Sequence, residues 1–159
     1  MLGAAALGLC GTTGAYAAQT ASASGAGALD GGQRHFSFSA KQRPDGTVTG
    51  HAELTNKSFT GANGTSPYKL HLDISCMNKI GNTVFFGGTV KSTNDPNLVD
   101  AAYFSVQDNG EPGKGVDMIS RVLFFDDDPS TAGDPQLCQL NVVGDFPVEP
   151  IESGNIQVK

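Results

Sequence analysis

From residue 34 onward the side chains alternate between apolar and polar with a period of two, the spacing of a strand with one buried and one wet face. The clearest case is 68–77, where Leu70, Leu72, Ile74 and Cys76 share one face and Lys69, His71, Asp73 and Ser75 the other. In 34–40, Phe36, Phe38 and Ala40 lie opposite His35, Ser37 and Ser39. In 47–55, Val48, Ala52 and Leu54 lie opposite Thr49, His51 and Glu53. Further strands are expected at 83–90, 101–107, 116–125, 137–143 and 155–158, and no segment carries helical periodicity. Pro44-Asp45-Gly46, the polar loop with Gly61, Gly64 and Pro67, and the short loop 78–82 supply turn chemistry between them. Gly87-Gly88 inside a strand marks a bulge or the close approach of another backbone. About eight short strands punctuated by Gly and Pro predict an all-β domain over 33–159, an antiparallel β-sandwich with a closed β-barrel as the alternative.

The residues ahead of that domain have a different character. Residues 1–18 carry no charge, consist largely of Ala, Gly, Leu and Thr, and end in Ala15-Tyr16-Ala17-Ala18, a small-x-small pattern that suits a signal peptidase. Gly3, Gly8, Gly11 and Gly14 would each cost about 1 kcal/mol inside a core helix. The segment is expected to be a signal peptide, although it lacks the usual basic opening, and the protein to be secreted or cell-surface. Leu9 stands before Cys10, where lipoprotein processing requires a small residue, so Cys10 reads as an ordinary part of the leader. Residues 19–32 hold Leu29 as their one large apolar side chain and are expected to be a flexible lead-in.

Without the leader two cysteines remain, Cys76 and Cys138. An oxidising compartment favours a disulfide between them, over two buried thiols or half of a metal site. Both are expected to point inward from strands and to bridge two sheets. The formal net charge of −6 argues against nucleic acid and anionic lipid as partners, both of which repel such a chain at long range. Beyond the leader no apolar run approaches the length of a membrane span.

Several polar groups are candidates for chemistry. Asp126, Asp127, Asp128 and Asp134 concentrate hard oxygen ligands of the kind calcium takes, but in no EF-hand spacing, so a solvated acidic loop is favoured over a weak calcium site. Asp108-Asn109-Gly110-Glu111 offers a second cation site, or more simply a hairpin turn built on Asn-Gly. His35, His51 and His71 fall on polar strand faces; brought together they would suit zinc or copper, and otherwise they are surface histidines. No serine sits in a nucleophile elbow, and the Gly-rich stretches lack the lysine of a phosphate loop. Asn56-Lys57-Ser58 and Asn63-Gly64-Thr65 are glycosylation sequons, relevant only in a eukaryotic secretory pathway.

Three motifs carry a resemblance. The run Cys76-Met77-Asn78-Lys79-Ile80-Gly81-Asn82-Thr83-Val84 with Gly87-Gly88-Thr89-Val90, the run Phe104-Ser105-Val106-Gln107-Asp108-Asn109-Gly110-Glu111-Pro112-Gly113, and the run Ser153-Gly154-Asn155-Ile156-Gln157-Val158 resemble a group of exported, mostly actinobacterial proteins. Its members are single β-rich domains of unassigned function. The resemblance implies export, a β-rich fold and the Cys76–Cys138 pairing, and brings no catalytic residues. The expected role is binding of an unidentified cell-envelope or extracellular ligand, or cell-surface architecture. A calcium- or zinc-dependent extracellular enzyme or metal-binding domain, using the acidic loops or the strand histidines, is the rival. Scarce Tyr and absent Trp weigh against a carbohydrate-binding module.

Overall fold

Alternation of apolar side chains organises this chain into hairpins, and the hairpins into a single sheet. The computed structural model describes residues 20–59, 68–95, 101–110, 117–124, 133–140 and 147–159. Within them lie strands β1 (Ala21–Leu29), β2 (Arg34–Gln42), β3 (Val48–Asn56), β4 (Tyr68–Ile80), β5 (Thr83–Thr93), β6 (Ala101–Gln107), β7 (Met118–Ser120), β8 (Val148–Pro150) and β9 (Ser153–Val158). They form one nine-stranded sheet in the order β8-β7-β6-β5-β4-β3-β2-β1-β9, antiparallel throughout. The all-β antiparallel expectation is met. The architecture lies on the barrel side of the two alternatives, because the core is enclosed by one sheet curling over itself and not by two stacked ones.

The curl is visible in the core. Phe38 of β2 meets Phe86 of β5 with ring centroids 5.4 Å apart and Phe104 of β6 at 5.7 Å, although several strands separate them in the sheet. Phe86 and Phe104 themselves lie 4.9 Å apart. Leu70, Leu72, Val84, Val106, Ile119 and Ile156 complete a continuous buried cluster around these rings. Each such side chain removed from water stabilises the fold by roughly 1.5–3 kcal/mol, which is what drives the sheet to bend around it.

Residues 21–29 correct the flexible lead-in expected at 19–32. They form β1, paired along its whole length with β2 and on its other side with β9. The strand needs no large side chains of its own. Phe38 and Ile156 reach over Gly25, and Phe36 lies over Gly27, so closely that a Cβ at either glycine would meet those side chains at 2.8–2.9 Å. Smallness is therefore what lets β1 join the sheet.

The ends of the curl meet at a corner. β8 and β9 sit at opposite ends of the strand order, yet Ile151 and Glu152 alone separate them. Ile151 donates its N–H to the Asp117 carbonyl beside β7, and Glu152 donates to the Ala28 carbonyl of β1. Beyond this corner the outer edge of β9 has no strand beside it. Instead, Ile156 N–H donates to Asp117 Oδ2 at 2.7 Å and Val158 N–H to Asp108 Oδ2 at 2.8 Å. Two carboxylates from the β6–β7 connection thus take the place of a neighbouring strand.

A second correction concerns the strand expected at 137–143, of which 141–143 lie outside the described residues. Residues Pro135–Leu140 form a 3-10 helix and not a strand. Asp134 starts it, accepting the Gln136 N–H on Oδ1 and the Leu137 N–H on its carbonyl, while Pro135 presets the first turn. Leu140 is exposed and Cys138 buried, so the two do not share a face as a strand would require. Of the strand expected at 116–125, residues 116 and 125 lie outside the described ones, and β7 covers Met118–Ser120. β7 pairs with β6 only through Met118 and Ile119; the Ser120 hydroxyl then takes the Ser105 N–H, and pairing resumes at the single bridge Tyr103–Leu123.

The disulfide joins Cys76 to Cys138 with Cα atoms 6.1 Å apart, within the usual span for such a bond. Its place in the fold differs from the expected inter-sheet bridge. The β4–β5 register shifts between Ile74 and Cys76, a bulge that turns Cys76 away from Ile74 and leaves Met77 in the main core. Cys76 packs with Cys138, Ala101 and Tyr103 in a separate small cluster beneath the 3-10 helix. Gly87 makes room for that helix, since a Cβ there would collide with the Pro135 backbone. This is the close backbone approach anticipated at Gly87-Gly88.

Two stability measurements test this account. Cys138→Ser should cost about 4 kcal/mol, the chain-entropy value for a loop closed across 62 residues, read as a lower urea midpoint under non-reducing conditions. Asp117→Ala strands the Ile156 and Asn109 amides and should cost about 3 kcal/mol. Hydrogen exchange at the Ile156 amide should accelerate in that variant; unchanged protection there would show that the seam does not depend on Asp117.

Candidate functional site

One end of the curled sheet is not filled by its own side chains. Between the start of β2, the end of β3, the start of β4 and the chain after β7 lies a cavity of about 290 Å³. Its walls are Leu29, Phe36, Leu54, Ile119, Val122 and Phe124. Leu29, Phe36, Leu54 and Ile119 belong to the buried core cluster, and Val122 and Phe124 of the chain after β7 pack against it, so the cavity is the core's open continuation. An opening near 300 Å³, mainly apolar and edged by a few polar groups, fits a small-molecule site.

The polar edge is set by charge pairing. Arg34 is buried on β2, and its Nη1 donates to Glu149 Oε2 at 2.9 Å and to Asp30 Oδ2 at 3.4 Å. Arg121 donates Nε to the other oxygen of Glu149 at 3.0 Å. Glu149 on β8 thereby ties two arginines from distant parts of the sheet into one network at the mouth. The Ser120 hydroxyl also lines the cavity but is committed, accepting the Ser105 N–H and donating to the Arg121 carbonyl. Its proton is not available for nucleophilic activation.

Tyr68 closes the other side. Its side chain is buried, its ring meets Phe59 edge-on at 5.1 Å, and its hydroxyl has no hydrogen-bond partner among the described residues. Burial, with the charge of Asp95 second, raises its pKa above the ordinary phenol value, so the hydroxyl keeps its proton.

The sequence-derived candidates lie elsewhere or are occupied. His35 on β2 stands opposite Thr55, His51 on β3 opposite Asp73, and His71 on β4 opposite Glu53. The three occupy different rows of the outer face and are not brought together; only His35 reaches the cavity rim. Neighbouring charges on that face pair with each other, Lys69 with Glu53 at 3.2 Å and Lys91 with Asp73 at 3.3 Å. Among the described residues no group of three or more His, Cys, Asp or Glu is placed to hold a metal ion.

Asp108 spends both carboxylate oxygens on backbone amides, Oδ1 on Gly110 and Oδ2 on Val158. Asn109 donates its N–H to Asp117 Oδ1 and accepts from Asn82 Nδ2, so 108–110 serve as a turn. Glu111 lies outside the described residues. Asp134 starts the 3-10 helix and its carbonyl accepts the Tyr103 hydroxyl at 2.6 Å. Asp126, Asp127 and Asp128 lie outside the described residues, as does the 1–18 leader.

Arg34, Tyr68, Asp117 and Glu149 were not singled out by the sequence. Asp117 left a trace, falling two residues before Ile119 and so in phase with a buried face. The others gave no local signal, because their roles depend on strands that meet only through the curl. Comparison with protein-family models, curated proteins and solved structures returned no match. Among the described residues no helix is long and apolar enough to cross a membrane.

Proposed function

We propose that this protein is an exported, non-catalytic binding domain that holds a small apolar molecule in the cavity at the end of its curled sheet. The observation that carries this reading is the cavity itself, an apolar opening in continuity with an otherwise closely packed aromatic core. Ser120, which lines it, is already engaged at both ends, and the carboxylates of Asp108 and Asp134 serve backbone amides. That disposition favours binding over the rival reading, a metal-dependent or hydrolytic enzyme. Export is supported by the leader pattern, by the disulfide, and by the place of β1, whose first residue Ala21 would remain intact after cleavage at Ala18. The resemblance to exported actinobacterial proteins points the same way.

Titration with N-phenylnaphthylamine, an uncharged fluorophore that brightens in apolar surroundings, tests the binding reading. Fluorescence should rise saturably at micromolar probe. Val122→Trp, which fills the cavity from a half-buried position, should weaken binding by about tenfold or more while leaving the melting temperature nearly unchanged. A non-saturable rise, or equal binding by the variant, would overturn the reading. For export, intact-mass analysis of secreted protein should give a chain beginning at Ala18 or Gln19. Full-length protein retained in the cytoplasm would refute it.

A further inference from the structure

The charges around the cavity are unevenly divided, and the division bears on which apolar molecule it takes; the inference rests on the binding reading above. Arg34 and Arg121 both line the cavity, with His35 at the rim. Asp30 and Glu149, the carboxylates paired with these arginines, are not part of its walls. Among the described residues no acidic side chain lines it. An otherwise apolar wall therefore carries guanidinium groups whose carboxylate partners stand outside the lining.

Arg34 is also incompletely used. It shares the inward face of β2 with Phe36 and Phe38, which places its side chain at the cavity end of the core. Both of its carboxylate contacts fall on Nη1, at 2.9 Å to Glu149 and 3.4 Å to Asp30. Nε and Nη2 hold no hydrogen bond to the described residues. Those two nitrogens form the edge of the guanidinium whose parallel N–H groups match the two oxygens of a carboxylate. Only 10% of the Arg34 side chain is exposed, so bulk water serves that edge poorly. Arg121, with 69% of its side chain exposed, donates Nε to Glu149 and has no further hydrogen bond to the described residues.

We infer that the cavity selects a monocarboxylic acid with an apolar chain, of the kind a fatty acid represents. Its carboxylate accepts the Nε and Nη2 hydrogens of Arg34 while the chain lies against Leu54, Ile119 and Phe124. Arg121 adds a second, more exposed positive charge at the mouth. No existing ion pair has to break, since Nη1 keeps Asp30 and Glu149. The net charge of −6 does not decide the matter, because at physiological salt charges beyond about 8 Å are largely screened and the lining dominates. A cationic molecule would meet two guanidinium groups, and an uncharged one would leave the fork unmatched, so selectivity arises at the head of the ligand.

Displacement of N-phenylnaphthylamine from the disulfide-bonded chain by decanoate, 1-decanol and decylamine tests this. Decanoate should compete about tenfold better than 1-decanol, although the alcohol leaves water more readily, and decylamine should compete worst. Added salt should weaken decanoate and leave 1-decanol unchanged. Arg34→Lys keeps the charge but loses the fork; it should weaken decanoate roughly tenfold and change 1-decanol by no more than about twofold. Arg121→Gln, at an exposed position, should weaken decanoate about threefold with little change in melting temperature. Should Arg34→Lys not fold, the wild-type order of the three ligands and Arg121→Gln decide between the outcomes. Equal competition by 1-decanol and decanoate in the wild type would overturn the inference while leaving apolar binding intact. So would equal weakening of both ligands by Arg34→Lys, or undiminished decanoate binding in Arg121→Gln. Failure of N-phenylnaphthylamine to bind the wild type would remove the binding reading, and this inference with it.

Discussion

A sheet that curls toward closure leaves one line along which its strands do not pair, and the backbone groups on that line must be satisfied by something else. Here that line runs along β9, and its donors at Ile156 and Val158 are taken by the carboxylates of Asp117 and Asp108. The rest of the structure depends on this arrangement. It holds β9 against the β6–β7 connection, which keeps Ile156 over the aromatic interior. A charged acceptor forms a stronger hydrogen bond than a neutral one, so two side chains can substitute for part of a strand. Asp117 is completely buried at this seam, and its other oxygen takes the Asn109 amide, so both oxygens of the side chain hold backbone donors.

The opposite face solves a different problem. A strand with a strict period of two can bury only one of its faces, yet this chain builds a small second cluster on the outside of the sheet. The bulge at Ser75 achieves this by turning Cys76 outward without disturbing Met77, its neighbour. The 3-10 helix is then fixed by the disulfide, by Asn78 donating to the Cys138 carbonyl, and by Gln139 donating to the Met77 carbonyl. The cavity lies at one end of the sheet, among residues that take no part in this outer cluster. The covalent anchor and the candidate binding site therefore make separate demands on the fold.

How far the sequence was legible follows from the range of each interaction. Strands β2 to β6 were readable because their alternation is local and their turns are marked by Pro, Gly and Asn. β1 was not, since its apolar cover comes from Phe36, Phe38 and Ile156 on other strands. The 3-10 helix was misread because Leu137, Cys138 and Leu140 imitate a strand's spacing. Only Asp134 and Pro135 at its start indicated otherwise. The pairing of the two cysteines was accessible from their number and compartment, whereas the direction of Cys76 hinged on one inserted residue. For the cavity, the sequence displayed Tyr68, Arg34 and Leu54 as ordinary strand residues. Their proximity to Ile119, Val122 and Phe124 is a product of curvature, which no local pattern encodes.

The pairing of β1 with β9 has a consequence for the order of events when the chain folds. Residues 23–28 find their partners in 153–158, so this contact spans nearly the whole described sheet. Closing so large a loop is entropically slow, and contacts of long sequence separation govern the rate at which such topologies form. The hairpins from β2 to β6 can assemble while the chain is still emerging. The enclosure cannot be completed until residue 158 is present. A protein wired in this way keeps one edge of β1 unpaired through most of its synthesis, until residues 153–158 are available to cover it.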